Sequence, residues 1–188
     1  SDVYKRQIEN KEKTGSITVH KTTEGQKNIE GIKFYLRGTS DSGRAIDIPA
    51  TTDKDGIAKF DGVPIGTYMV IEDEETVPYG YLVADEKEVK VEYAQTIDET
   101  ILNNEQTGTV KVHKKTADMT NVEGIRFILS GISDTGREIR IEATTDKDGL
   151  AKFEGVPVGT YTITEDGSTV PYGYLVADSK QAVSSTHL

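Results

Sequence analysis

The residues that could do chemistry are charged side chains that strand parity turns inward. In GSITVHK, residues 15–21, Ile17, Val19 and Lys21 share one parity while Thr18 and His20 take the other. Alternate side chains of a strand share a face, so Lys21 points with Ile17 and Val19 into a core. GTVKVHK, residues 108–114, repeats the arrangement with Val110, Val112 and Lys114. GTYTITED does the same with an acid. There Tyr161, Ile163 and Glu165 alternate with a threonine face, and Tyr68, Val70 and Glu72 form the matching earlier set. A third group closes ILNNEQTG, where Ile101 and Asn103 share a face, and QIENKEKTG places Ile8 and Asn10 in the same relation. An inward lysine and an inward glutamate are compatible with a snorkelling stem and a buried salt bridge. They are also compatible with chemistry. Burial disfavours the ammonium form and frees the amine lone pair, and a neutral carboxylic acid can relay protons.

The elements that must position these groups come as a repeat. GSITVHK at Gly15 returns as GTVKVHK at Gly108, an ungapped offset of 93. EGIKFYLRG matches EGIRFILSG, TTDKDGIAKFDGVPIGTY matches TTDKDGLAKFEGVPVGTY, and TVPYGYLVAD occurs twice. Two tandem domains of ordinary size follow. Strand signals cover 16–21, 32–37, 57–60, 67–72, 88–93 and 96–103, separated by the turn signals TEGQKN, SDSGR, DKDG, DGVPIG and VPYG. No stretch sustains a helical period. The fold class expected is all-β, as tandem β-sandwiches. The first domain is expected over 11–105 and the second over 106–182. The second copy fades after Asp178 and stops before a counterpart of TIDETILNN, so it is expected to lack its last strand. That would leave an open edge and an unpaired inward Lys114. The ends SDVYKRQ and VSSTHL do not continue the neighbouring pattern and read as assembly scars. DVYKRQ is what one frame of a common transposon sequencing adapter encodes. Residues 1–10 are therefore expected to combine a scar with the end of a lost preceding domain, and 183–188 to be a scar.

Composition narrows the function classes. The 188 residues carry a net charge of −10, with 35% hydrophobic and 29% charged residues. That acidity argues against nucleic acid and anionic membranes as partners. The absence of cysteine removes disulfides, thiol catalysis and cysteine-type zinc sites. No apolar run approaches a membrane span, so no membrane insertion is expected. No metal or cofactor is expected either. DKDG at Asp53 and Asp146 lacks the glycine and glutamate spacing of an EF-hand, since Ala58 and Pro64 stand at those positions. A tight turn explains it better. His20 and His113 fall on the solvent face without a second ligand at useful spacing. No nucleophile elbow, phosphate loop or HExxH motif occurs. VPYGY could stack on a sugar, though a packed start of a strand explains it better.

As an ordered set, GSITVHK, EGIKFYL, TTDKDGIAKFDGVPIGTY, the glutamate with VPYGY, and the closing ILNN resemble the Cna protein B-type domain of Gram-positive surface proteins. This family is also called SpaA-type or prealbumin-like, and the resemblance spans nearly the whole chain. It implies a β-sandwich of inverse immunoglobulin type. It also implies an intramolecular Lys–Asn isopeptide bond promoted by a carboxylic acid. Lys21, Glu72 and Asn103 match those three roles, with Asn104 the rival acceptor. Lys114 and Glu165 match two of them, leaving Lys114 without an isopeptide partner. Such a reaction is a single turnover on the protein itself, so no ordinary enzyme is implied. The implied role is a stalk or spacer of a cell-wall-anchored, extracellular adhesin or pilin-like protein, with neighbouring repeats as partners. The alternative is a loop-mediated binding module for a host matrix protein or glycan. No LPxTG sorting signal is present.

Overall fold

The alternation seen in GSITVHK becomes a strand whose every second residue is buried. A computed structural model describes residues 4–185 of the chain, and its described residues divide into two compact units. The first comprises 4–22, 29–77 and 83–102. The second comprises 23–28, 78–82 and 103–185.

The first unit is built on β1 (Thr14–Thr23), β2 (Lys33–Ser40), β3 (Ala45–Thr51), β4 (Ile57–Pro64), β5 (Gly66–Glu72), β6 (Lys87–Val91) and β7 (Thr96–Asn103). Its sheets have the orders β3-β2-β5-β6 and β4-β1-β7. One apolar core is shared by both. Ile17 and Val19 of β1, Phe60 of β4 and Ile101 of β7 join Phe34 and Leu36 of β2, Val70 of β5 and Val89 of β6. Two sheets closing one core make a β-sandwich. Residues 4–13 precede β1 without regular structure, and Ile8 is exposed.

The second unit repeats the plan. It contains β8 (Thr107–His113), β9 (Arg126–Ile132), β10 (Glu138–Thr144), β11 (Leu150–Pro157), β12 (Gly159–Glu165) and β13 (Lys180–Ser184). Its sheets are β10-β9-β12-β13 and β11-β8. Among the described residues, no strand lies where β7 lies beside β1. Phe127, Leu129, Phe153 and Tyr161 centre its core.

Three strands were not legible beforehand: β3, its repeat counterpart β10, and β13. β3 carries Pro49, which cannot donate to a ladder, and it survives because β3 is an edge strand paired only with β2. β13 has Ala182 and Ser184 where β6 has Val89 and Val91. It nevertheless pairs with β12 as far as Ser184 opposite Gly159. The Ser184 hydroxyl donates to the Val156 carbonyl at 2.9 Å. Thus Val183 and Ser184, which were expected to fall in a terminal scar, complete a strand. Of the two expected scars, 1–3 and 186–188 lie outside the described residues.

The motif VPIGTY sets the turn from β4 to β5. Buried Tyr68 reaches back so that its hydroxyl donates to the Pro64 carbonyl at 2.8 Å, and Tyr161 does the same to Pro157 at 2.8 Å. A buried phenol needs such a partner. Just upstream, β4 bulges against β1, with Val63 opposite Gly15 but Phe60 opposite Ile17. Gly62 absorbs the extra residue at φ 62°, in the left-handed region.

Candidate functional site

β1 delivers Lys21 to the interior because Ile17, Val19, Lys21 and Thr23 all fall on its buried face. The strand end is held by the Lys21 N–H donating to the Gly56 carbonyl at 2.7 Å. Gly56 is the glycine of DKDG. It sits at φ 77°, and a Cβ there would meet the Lys21 carbonyl oxygen at 2.7 Å, so the turn needs glycine twice over. The turn itself is tied by Asp53, whose Oδ1 accepts from the N–H groups of Asp55 and Ile57. DKDG is therefore a hairpin device that fixes where β1 ends.

The Lys21 side chain is wholly buried. Its Nζ lies 3.8 Å from Glu72 Oε1, donates to the Thr22 carbonyl at 2.6 Å and reaches the Ile101 carbonyl at 3.4 Å. Burial lowers its pKa from 10.5 to about 8, against the opposing pull of the Glu72 charge. A substantial share of this amine is therefore neutral near physiological pH. Glu72 ends β5 and is 6% exposed, and its Oε2 accepts from the Ala84 N–H at 2.8 Å. Asn103 ends β7, two residues beyond Ile101 on the same strand face, and is 1% exposed. Its Nδ2 donates to the Leu82 carbonyl at 2.7 Å. The neighbouring Asn104 is exposed. Lys21 and Glu72 are thus brought together, and Asn103 is buried at the end of the strand that carries Ile101.

The second copy differs in a way the sequence did not show. Lys114 is not an unpaired inward lysine. It follows the last residue of β8, its side chain is 13% exposed, and its Nζ donates to Glu165 Oε1 at 2.6 Å. Among the described residues β8 pairs only with β11, and the lysine end, partly exposed, closes onto the carboxylate in a charge-assisted hydrogen bond. Glu165 itself remains buried and accepts from the Ala177 N–H at 2.6 Å, the counterpart of the Ala84 bond. These two backbone donors were missed by sequence reasoning. A loop N–H carries no residue-type signal, so nothing in the letters marks it.

The other candidates fall elsewhere. His20 Nε2 and Asp98 Oδ1 are 2.9 Å apart on the surface, and His113 is exposed on β8. Tyr81 is 4% exposed and bridges to Glu105, whereas Tyr79 and Tyr172 are exposed. Among the described residues, no helix is long and apolar enough to cross a membrane, and no three metal-ligating side chains gather.

A family model described as a prealbumin-like fold domain, SpaA, matches residues 15–106 and again 108–186. No curated protein matches the chain. Among solved structures, the Bacillus anthracis TIE protein is 25% identical with a TM-score of 0.63. That match covers 91% of this chain and 31% of the TIE protein. A streptococcal ancillary pilin is 22% identical with a TM-score of 0.43, over 93% of this chain and 59% of the pilin. The shaft pilin SpaA of Lactobacillus rhamnosus GG is 18% identical with a TM-score of 0.38, over 90% and 94% of the two chains. The chain spans about a third of the TIE protein and less than two thirds of the ancillary pilin.

Proposed function

Because the chain belongs to the SpaA prealbumin-like fold family, in two tandem copies, we propose that it is a structural stalk segment of a bacterial surface protein whose first copy crosslinks itself. Lys21 Nζ attacks the side-chain carbonyl carbon of Asn103. An amide bond forms, the bond from that carbon to Nδ2 breaks, and nitrogen leaves as ammonia. Glu72 carries the proton from the attacking amine to the leaving nitrogen. The role is mechanical: spacing and bearing tension at the cell surface. Loop-mediated binding of a host protein or glycan is the weaker reading, because the DKDG and VPIGTY segments, kept almost unchanged in both copies, serve turns.

The observation that carries this reading is the buried Lys21, with its amine at a pKa of about 8 and Glu72 at 3.8 Å. A surface ion pair would need no such burial, and a buried one gives little net stability over apolar replacements. The burial of Asn103, against the exposure of Asn104, favours Asn103 as the acceptor. Fixed neighbours supply the effective concentration. The test is the intact mass of the folded chain, which is expected to fall short of the sequence mass by one ammonia. Peptide mapping is expected to join Lys21 to Asn103. An unmodified mass in folded protein would sink the proposal.

A further inference from the structure

We infer that the backbone of Leu82–Ala84 is the positioning element of the self-crosslinking: its Leu82 carbonyl aims the amide of Asn103, and its Ala84 N–H aims the carboxyl of Glu72. This rests on the crosslinking proposed above, and it gives the VPYGY loop a task. The chain leaves Glu72, makes a short 3-10 turn over Glu74–Thr76 and reverses at Gly80, where φ is 93°. It then brings the Ala84 N–H back to Glu72 Oε2 at 2.8 Å. Thr76 anchors the outward leg, because its hydroxyl accepts from the Lys33 N–H at 3.0 Å and donates to the Asp73 carbonyl at 2.8 Å. The second copy repeats each step. Thr169 holds the Arg126 N–H and the Asp166 carbonyl, Gly173 sits at φ 96°, and the Ala177 N–H returns to Glu165 Oε2 at 2.6 Å. TVPYGYLVAD is the longest run that the two copies share unchanged. Yet the side chains of Leu82 and Val83 are 51% and 44% exposed. Their side chains do not explain the segment's course, whereas their backbone contacts do.

The segment divides the labour of the reacting groups. With Oε2 of Glu72 on the Ala84 N–H, Oε1 is the oxygen directed at Lys21 Nζ, 3.8 Å away. In the second copy Oε2 of Glu165 again takes the loop N–H, and Oε1 faces Lys114 Nζ at 2.6 Å. A backbone N–H favours the ionised form of the oxygen it meets, so Oε1 is the oxygen left to take a proton. The acceptor is fixed from the other side. Asn103 Nδ2 donates to the Leu82 carbonyl at 2.7 Å, and the Leu82 N–H donates to the Asn104 carbonyl at 2.8 Å. Turning the amide over would set Oδ1 against the Leu82 carbonyl, one acceptor facing another, so the amide keeps one orientation.

Both contacts bear on the same proton. As the bond from Lys21 Nζ to Asn103 Cγ forms, the amine proton passes to Glu72 Oε1. From there it moves to Nδ2 as the Cγ–Nδ2 bond breaks, and the nitrogen leaves as ammonia. The Leu82 carbonyl already accepts from that nitrogen, so it meets the charge developing there without reorganising.

The experiment removes one N–H. Ala84→Pro deletes the donor to Glu72, and Ala84→Ser keeps it at nearly the same size. Whole chains are refolded at several pH values, and ammonia loss is followed by mass. Ala84→Pro is expected to react at least about tenfold more slowly, with its rate still levelling near pH 8, where Lys21 titrates. Ala84→Ser is expected to regain the parental rate. A slow reaction that levels only toward pH 10.5 would show that the loop merely seals Lys21 from water, and would overturn the positioning role. So would a parental rate in Ala84→Pro beside a parent that reacts. An unmodified mass in the folded parent would overturn the crosslinking itself, and the positioning role with it. A second measurement decides the matter where Ala84→Pro does not fold. In the Lys21→Ala chain, which cannot crosslink, NMR is expected to show one Asn103 side-chain amide proton protected from exchange. It is also expected to show an Ala84 amide proton whose downfield shift is lost on adding Glu72→Ala. Absence of either signature would overturn the two-point hold.

Discussion

Lys21 and Lys114 occupy the same repeat position and meet different surroundings. Lys21 is sealed in, 3.8 Å from its glutamate, while Lys114 is half-buried and donates to its glutamate at 2.6 Å. Burial favours the neutral amine of Lys21, which makes it a nucleophile. The rate of the proposed bond should follow the neutral fraction of Lys21. It is expected to rise about tenfold per pH unit up to about 8 and flatten above it. A pulse of refolding followed by mass spectrometry at several pH values measures this, and a rate independent of pH would remove Lys21 deprotonation from the mechanism. Stability should respond too in a chain blocked by Asn103→Ala. Folded Lys21 releases its proton near pH 8, whereas the unfolded side chain holds it to about 10.5. Between those values the unfolded state binds more protons, so stability rises with pH across that window and is insensitive to this group below it. Urea midpoints at about pH 7 and about pH 10 are expected to show the increase. Glu72→Gln keeps the volume and removes the proton relay, so it is expected to fold, retain its ammonia and melt roughly 20 °C lower than the crosslinked parent. Ammonia loss at the parental rate would show that Glu72 has another role. Parity alone made the inward direction of Lys21, Glu72 and Asn103 legible. The distances between them were not legible, because they depend on how two sheets close over Phe34, Phe60 and Val70.

At the level of elements, strands with strict alternation were readable and strands held by context were not. β1 and β5 declare themselves through Ile17, Val19, Tyr68 and Val70. β3 hides behind Pro49, and β13 behind a small apolar complement, since both exist only because a neighbouring strand offers a ladder. The repeat also shows which local devices are structural. Gly62 and Gly155 sit at φ 62° and 64° in equivalent bulges, with nothing within 4 Å of an added Cβ. Alanine at either position therefore meets only backbone strain, expected to cost about 1 kcal/mol in each unit. Tyr68→Phe and Tyr161→Phe should likewise cost about 1 kcal/mol each, by leaving the Pro64 and Pro157 carbonyls without their phenol donors. Denaturant midpoints of the four single variants test both statements. A glycine variant as stable as the parent would mean that the bulge relaxes.

The two units, taken as one mechanical chain, should not respond equally to load. In the first, the proposed bond joins β1 to β7 through Lys21 and Asn103, which lie 82 positions apart. By the loop-entropy relation used for disulfides, a closure of that size contributes about 4–5 kcal/mol. Tension applied through the two chain ends would pass from Lys21 to Asn103 through a covalent bond, so the sheets between them would carry none of it. In the second, Lys114 and Glu165 form an ion pair that can dissociate, and β8 has β11 as its one ladder partner among the described residues. Pulling the whole chain from its ends in a single-molecule experiment is therefore expected to give one unfolding step, of a length matching the second unit, while the first stays closed. Lys21→Ala should convert this trace into one with two steps, because the force path then runs through β1 and β7 themselves. Two steps from the unaltered chain, or one step from the Lys21→Ala chain, would break the connection drawn here between a buried lysine and a load-bearing stalk.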